Sequence, residues 1–218
     1  MPNWITNHIS APKHVIHAML NKEGRIDFST MCPFPGPHND WDSISCTAEE
    51  AAEIVCGTPL SSSPLVASMQ AASRSEFDIK KLSDGDFAQF VGMLENYRAC
   101  GYLHSMDFAR KVWGTKWNAC NPSANPDEGK ASFDTAWSCP EGVLVELSKR
   151  FPEDIIEVVF ADEDAGSNCG RFTLKAGAVV DQDIAPAWRD MTDEQKEKWK
   201  AFAYEVKGWE PETGEEAA

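Results

Sequence analysis

The residues that could do chemistry in this sequence are histidines, cysteines and clustered carboxylates. His14 and His17 stand three apart, a spacing that sets two ligands on one face of a helix. No cysteine or carboxylate is tied to them by motif, so surface histidines are the simpler reading. Seven cysteines occur, at 32, 46, 56, 100, 120, 139 and 169, with no Cys-x-x-Cys pair of the kind structural zinc sites use. Zinc on Cys32, His38 and Cys46 is geometrically imaginable. Cys100 and His104, four apart, have the residue types of a nucleophile and its base, but the sequence supplies neither an orienting acid nor an oxyanion hole. Ser61 to Ser63 lie outside any nucleophile elbow, and Gly166 and Gly170 lack the Lys-Ser and helix start of a phosphate loop. No metal, cofactor or catalytic residue is therefore expected.

Asp162, Glu163 and Asp164 offer hard oxygen ligands, but without the glycine and terminal glutamate of a calcium loop they read as a solvated acidic turn. Trp113, Trp117, Phe133 and Trp137 form an aromatic set that could stack bases, as the aromatics of some antiparallel sheets do with RNA. Charge argues against it. The formal net charge is −15, and an acidic surface repels phosphate backbones and anionic membranes alike. Those aromatics are expected to bind the sheet to its helices, with Trp117 in the core.

The acid is uneven along the chain. Residues 1–120 carry a net of −3 and residues 121–218 a net of −12, so an electrostatic partner should approach the C-terminal half. The candidate contact residues are Asp162, Glu163, Asp164, Asp181 and Asp183, placed in turns and at a hairpin end where side chains should project into solvent.

The elements that must position these residues follow from periodicity. Residues 3–10 alternate as a strand, and Pro12 opens a short helix with Val15, Ile16 and Met19 inward. Thr47 with Glu50 reads as a capping box, and Pro64 as another helix start. Phe87, Phe90, Val91, Leu94 and Tyr97 mark the clearest helix, closed by Cys100-Gly101. Residues 112–120 and 130–137 then read as strands around a polar loop, NPSANPDEG. Opposing Trp113 to Trp137 also opposes Thr115 to Thr135, Lys116 to Asp134 and Trp117 to Phe133, pairs worth roughly 0.2–1 kcal/mol each. Pro140 starts a helix ending before Pro152, and Ile155 to Phe160 is apolar enough to be a central strand. Arg171–Lys175 and Ala178–Asp183 form a hairpin about Ala176-Gly177. Thr192 and Gln195 cap a last helix bearing Trp199, Phe202, Ala203 and Val206, before an acidic tail over 209–218.

The order predicts an α+β protein: a ferredoxin-like βαββαβ antiparallel sheet over 1–46 and 111–184, a helical insertion over 47–110, and a C-terminal helix and tail over 185–218. The segments MPNW, WGTKW at 113–117, FDTAWSCP at 133–140 and CGRFTLKAG at 169–177 resemble the YubB-type ferredoxin-like domain of phage and plasmid proteins. That resemblance covers residues 1–20 and 111–180. It implies the fold and a mobile-element origin, and no catalytic residues.

The N-terminus lacks a basic start and apolar run, and no stretch approaches the ~20 apolar residues of a membrane span, so a cytoplasmic place in a bacterial host with free thiols is expected. The expected function is that of a non-enzymatic accessory protein binding a host protein with a basic surface, of anti-defence or nucleic-acid-mimic type, without direct contact to nucleic acid or membrane. A second reading is an enzyme or small-ligand binder with a pocket between sheet and helical insertion. Nothing in the sequence sets an oligomeric state.

Overall fold

Alternation makes the first strand. In β1 (Trp4–Ser10) Ile5, Asn7 and Ile9 are fully buried, while Trp4, Thr6, His8 and Ser10 turn to the other face. The computed structural model describes residues 3–210, so most of the acidic tail expected over 209–218 lies outside the described residues. The chain divides into two units. One runs up to Pro33 and resumes at Ala109; the other is Phe34–Phe108. The helical part thus begins at 34 and not at 47, and the C-terminal helix belongs to the sheet unit.

The sheet unit holds α1 (Lys13–Ala18), α2 (Phe28–Met31), β2 (Cys120–Asn125), β3 (Lys130–Ala136), α7 (Glu141–Arg150), β4 (Ile155–Asp162), β5 (Gly170–Lys175), β6 (Ala178–Ile184) and α8 (Asp193–Lys207), the numbering leaving α3–α6 to the other unit. The six strands run in the order β2-β3-β1-β4-β5-β6, with every neighbouring pair antiparallel. The first four make the ferredoxin-like arrangement, and the β5–β6 hairpin extends it. Buried Ile5, Ile9, Phe133, Ile156, Val158 and Leu174 meet the apolar stripes of α1 (Val15, Ile16) and α7 (Val143, Leu144, Leu147) on one face. On the other, α8 crosses β4 and β1. Its Trp199 and Ala203 pack with Ala161, Cys169 and Met191, and Thr192 and Gln195 close a full capping box.

The expected hairpin exists, but its first strand is displaced. Residues 109–113 form a π-helical turn, residues 114–119 are irregular, and the polar CNPSAN is the strand. Cys120 opposes Asp134 and Ser123 opposes Ser132, with a bulge between at Pro122. A strand at the sheet's edge needs no apolar face, and a proline is tolerated there because its missing N–H faces outward. The aromatics that looked like strand residues instead pack around the sheet's end.

In the helical unit, α3 (Cys46–Val55) is capped by Ser45, whose Oγ accepts from Ala48 N, and not by Thr47. Its Ala48, Ala51 and Ala52 pack against Phe90, Met93 and Leu103. The buried side of α5 (Asp84–Cys100) is therefore Phe90, Gly92, Met93 and Asn96, while Phe87, Val91 and Tyr97 of the expected stripe are exposed. Gly92 fixes this rotation, since a Cβ there would lie 2.7 Å from the Trp41 ring. Between them α4 (Pro64–Ser75) buries no residue, and α6 (Ser105–Phe108) follows α5.

Candidate functional site

Trp113, Trp117, Phe133 and Trp137 do not form one cluster. Trp113 and Phe133 are core: both rings meet Phe28 edge-on, at 5.6 and 5.4 Å, and Trp113 Nε1 donates to Cys32 O at 2.8 Å. Trp117 is half-buried and belongs to a second group. Its ring lies between Trp4 and Trp137, with centroids 6.0 and 5.9 Å away. Trp137, just past the end of β3, has φ of +64° and exposes 49% of its surface. A left-handed backbone is costly for a bulky residue and persists only where the surroundings enforce it.

The surroundings do so through Asp162. Trp137 N donates to Asn3 O at 2.9 Å, and Asn168 Nδ2 reaches Trp137 O at 3.2 Å. Both asparagines then converge on one carboxylate: Asn3 Nδ2 donates to Asp162 Oδ1 at 3.3 Å and Asn168 Nδ2 to Oδ2 at 2.9 Å. Asp164 N completes the set on Oδ1 at 3.0 Å. Asp162 is thus buried, at 5% exposure, and does not project into solvent as expected. The signal was present in the sequence. Ile156, Val158 and Phe160 set a period of two, and Asp162 is the next inward position.

Glu163 and Asp164 are exposed, on a turn that this clip fastens beside Trp137. Neither is ion-paired among the described residues. Glu163 N donates to Trp4 O at 3.2 Å, and the Lys207 ammonium donates to the same oxygen at 3.0 Å. Burial pulls Lys207 below the usual lysine range, while the nearby carboxylates of Asp134, Glu163 and Asp162 pull the other way. One corner of the sheet unit therefore gathers three indoles, an exposed acidic pair and a half-buried lysine. Asp181 is exposed on β6, while Asp183 is engaged by Arg171 at 3.6 Å and Lys198 at 3.5 Å. Among the described residues neither shares a partner with the corner.

Along the open part of the same face the register lines up Thr6 with Asp134, His8 with Ser132 and Ser10 with Lys130. Thr6 Oγ1 and Asn121 Nδ2 both donate to Asp134, and Lys130 Nζ to Ser10 Oγ at 2.6 Å. A shallow hollow of about 330 Å³ lies over His8, Ser10, Ser123, Asn125, Lys130 and Ser132.

The other candidates are dispersed or satisfied. His14 pairs with Asp154 at 2.6 Å, and His38 with Glu95. Cys46 is exposed. His104 is buried between Glu49, 3.0 Å from its Nε2, and Asp107 N, which donates to Nδ1 at 3.1 Å. It thus has an acid the sequence did not reveal. The Cys100 thiol, however, donates to Asn96 O at 3.2 Å, its own helix carbonyl. Among the described residues no group of three or more His, Cys, Asp or Glu could hold a metal ion, and no helix is long and apolar enough to cross a membrane.

The fold is ferredoxin-like. Residues 112–203 match the family model of the ferredoxin-like domain in Api92-like protein, a span from the π-helical turn into α8. The crystal structure of a protein Api92 from Yersinia pseudotuberculosis is similar over 86% of this chain and 99% of its own, at 10% identity and a TM-score of 0.39. No curated protein matches the chain.

Proposed function

We propose that this chain is a non-enzymatic accessory protein of a phage or plasmid that binds a basic protein in the cytoplasm of a bacterial host. The observation that carries the reading is the shared corner: Glu163 and Asp164, exposed and without an ion pair among the described residues, stand on a turn clipped beside the exposed ring of Trp137. Carboxylates set beside an aromatic face attract arginine and lysine by charge and by the ring quadrupole together. An aromatic at the centre of a polar rim is also the usual make-up of a binding hot spot. The mobile-element origin rests on the sequence resemblance, and an anti-defence role follows if the basic partner surface is one that ordinarily holds nucleic acid.

The test is affinity purification from the host, followed by association kinetics with the captured protein. Attraction should weaken as salt shortens the Debye length from ~10 Å at 0.1 M to ~3 Å at 1 M. The double variant Glu163→Gln, Asp164→Asn should associate more slowly and with a flatter salt dependence. Its folding stability should stay within about 0.5 kcal/mol, as for most exposed substitutions. Binding indifferent to both salt and these substitutions would remove the acidic turn from the interface.

A further inference from the structure

Lys116 occupies an unusual position. Its Nζ lies 4.9 Å from the ring centroid of Trp117 and 5.6 Å from that of Trp137. Lysines 196, 198, 200 and 207 also lie over aromatic rings, each over one close to it in sequence. Lys116 meets two rings at once, one of them 21 positions away. Among the described residues its ammonium has no carboxylate or carbonyl partner, so the indoles alone hold it. The two ring planes are inclined by 34° and open to solvent at Trp137.

We propose that Trp117 and Trp137 form a binding seat for a weakly hydrated organic cation, the guanidinium of an arginine side chain, and that Lys116 fills the seat when no ligand is present. The inference rests on the proposed partner being basic, and it names the group recognised. A primary ammonium is a compact, strongly hydrated charge and gives up much hydration to lie on a ring; a planar guanidinium is less hydrated and stacks. Arginine should therefore displace Lys116, whose flexible stem can swing outward. Glu163 and Asp164, on the turn that Asn168 ties to Trp137, would supply the rim charge.

The experiment titrates the full chain with acetyl-arginine-amide, following the indole Nε1–H resonances of Trp117 and Trp137 by NMR. Acetyl-citrulline-amide, of nearly the same shape without charge, is the control. Arginine should shift both resonances saturably and citrulline should not. Lys116→Met keeps the stem and removes the competing charge, so it should tighten arginine binding by about two- to fivefold. Trp137→Ala should abolish binding while the remaining spectrum stays folded. An equal response to citrulline, or an arginine affinity unchanged in Lys116→Met, would overturn the seat. Its failure is separable from that of the broader reading. If the carboxylate variant slows partner association while Trp137→Ala does not, the seat falls and the basic partner stands. If arginine binds the seat but the partner ignores the carboxylates and Trp137, the partner reading falls and the seat stands.

Discussion

At the scale of single residues, burial decides what a titratable group is for. Asp162 belongs to a triplet that reads as a solvated turn, yet it is the inward member and organises the corner. Cys169 shows the same effect on a thiol. It is fully buried among Ala161, Met191, Trp199 and Ala203, and its Sγ donates to Trp199 O at 3.9 Å. Burial first, then the negative charge of Asp162, pushes this thiol up to about 11 from the ordinary 9.0. The folded state holds the proton more tightly than the unfolded one. Its contribution to stability is therefore complete below pH 9.0, and is lost as pH rises through the folded value of about 11. Chemical denaturation at pH 8 and pH 10.5 should show a fall in wild-type stability that exceeds the fall in Cys169→Ala by on the order of 1–2 kcal/mol. Parallel declines in the two proteins would mean that Cys169 ionises as it does in the unfolded chain.

At the scale of elements, the helix α7 depends on an approach that only glycine permits. A Cβ on Gly142 would lie 1.8 Å from Val112 O and 3.0 Å from Val112 C, both backbone atoms of the π-helical turn. Neither chain can yield as a side chain would. Gly142→Ala should cost about 1–3 kcal/mol in urea denaturation, the range for forced overpacking, and no loss would show that the turn shifts freely. The same turn marks the limit of what was legible in the sequence. Strands β1, β3, β4 and β5 declare themselves because one face is buried, so their apolar residues alternate, while β6, exposed along nearly all of its length, is marked only by the Ala176-Gly177 turn before it. β2 lies at the edge, buries little and carries Pro122, so period gives no signal, while the neighbouring WGTKW imitates a strand without being one. The corner was half legible for the same reason. Glu163, Asp164, Trp117 and Trp137 are visible as types, but the register that joins them runs through Asn3 and Asn168, whose roles are set by contacts 159 and 31 positions long. The helical unit shows a related limit: periodicity locates α5 but not its rotation, which the alanines of α3 and the Trp41–Gly92 contact decide.

At the scale of the whole molecule, the acid is distributed differently in space than along the chain. The helical unit, Phe34–Phe108, carries 11 acidic and 4 basic residues, a net of −7, against −8 for the nearly twofold longer remainder. Both units thus repel themselves, and screening should relieve them. Raising NaCl from 0.05 to 0.5 M should raise the melting temperature by about 2–4 °C, corresponding to ~1 kcal/mol at this size; a flat response would mean that the like charges are already too far apart or too well hydrated to matter. The ends of the sheet differ as well. β2 closes one edge with Pro122, a bulge and Asn121 at φ of +47°. β6, at the other edge, has a register irregularity of its own at Val180 but no proline, and among the described residues Val179, Val180 and Ile184 stay uncovered there with Asp181 beside them. A sheet with one blind edge is a chain terminator. A strand supplied from outside can extend this one only past β6, and two copies joined there would present a blind edge at both ends, so growth halts after one step and no filament follows.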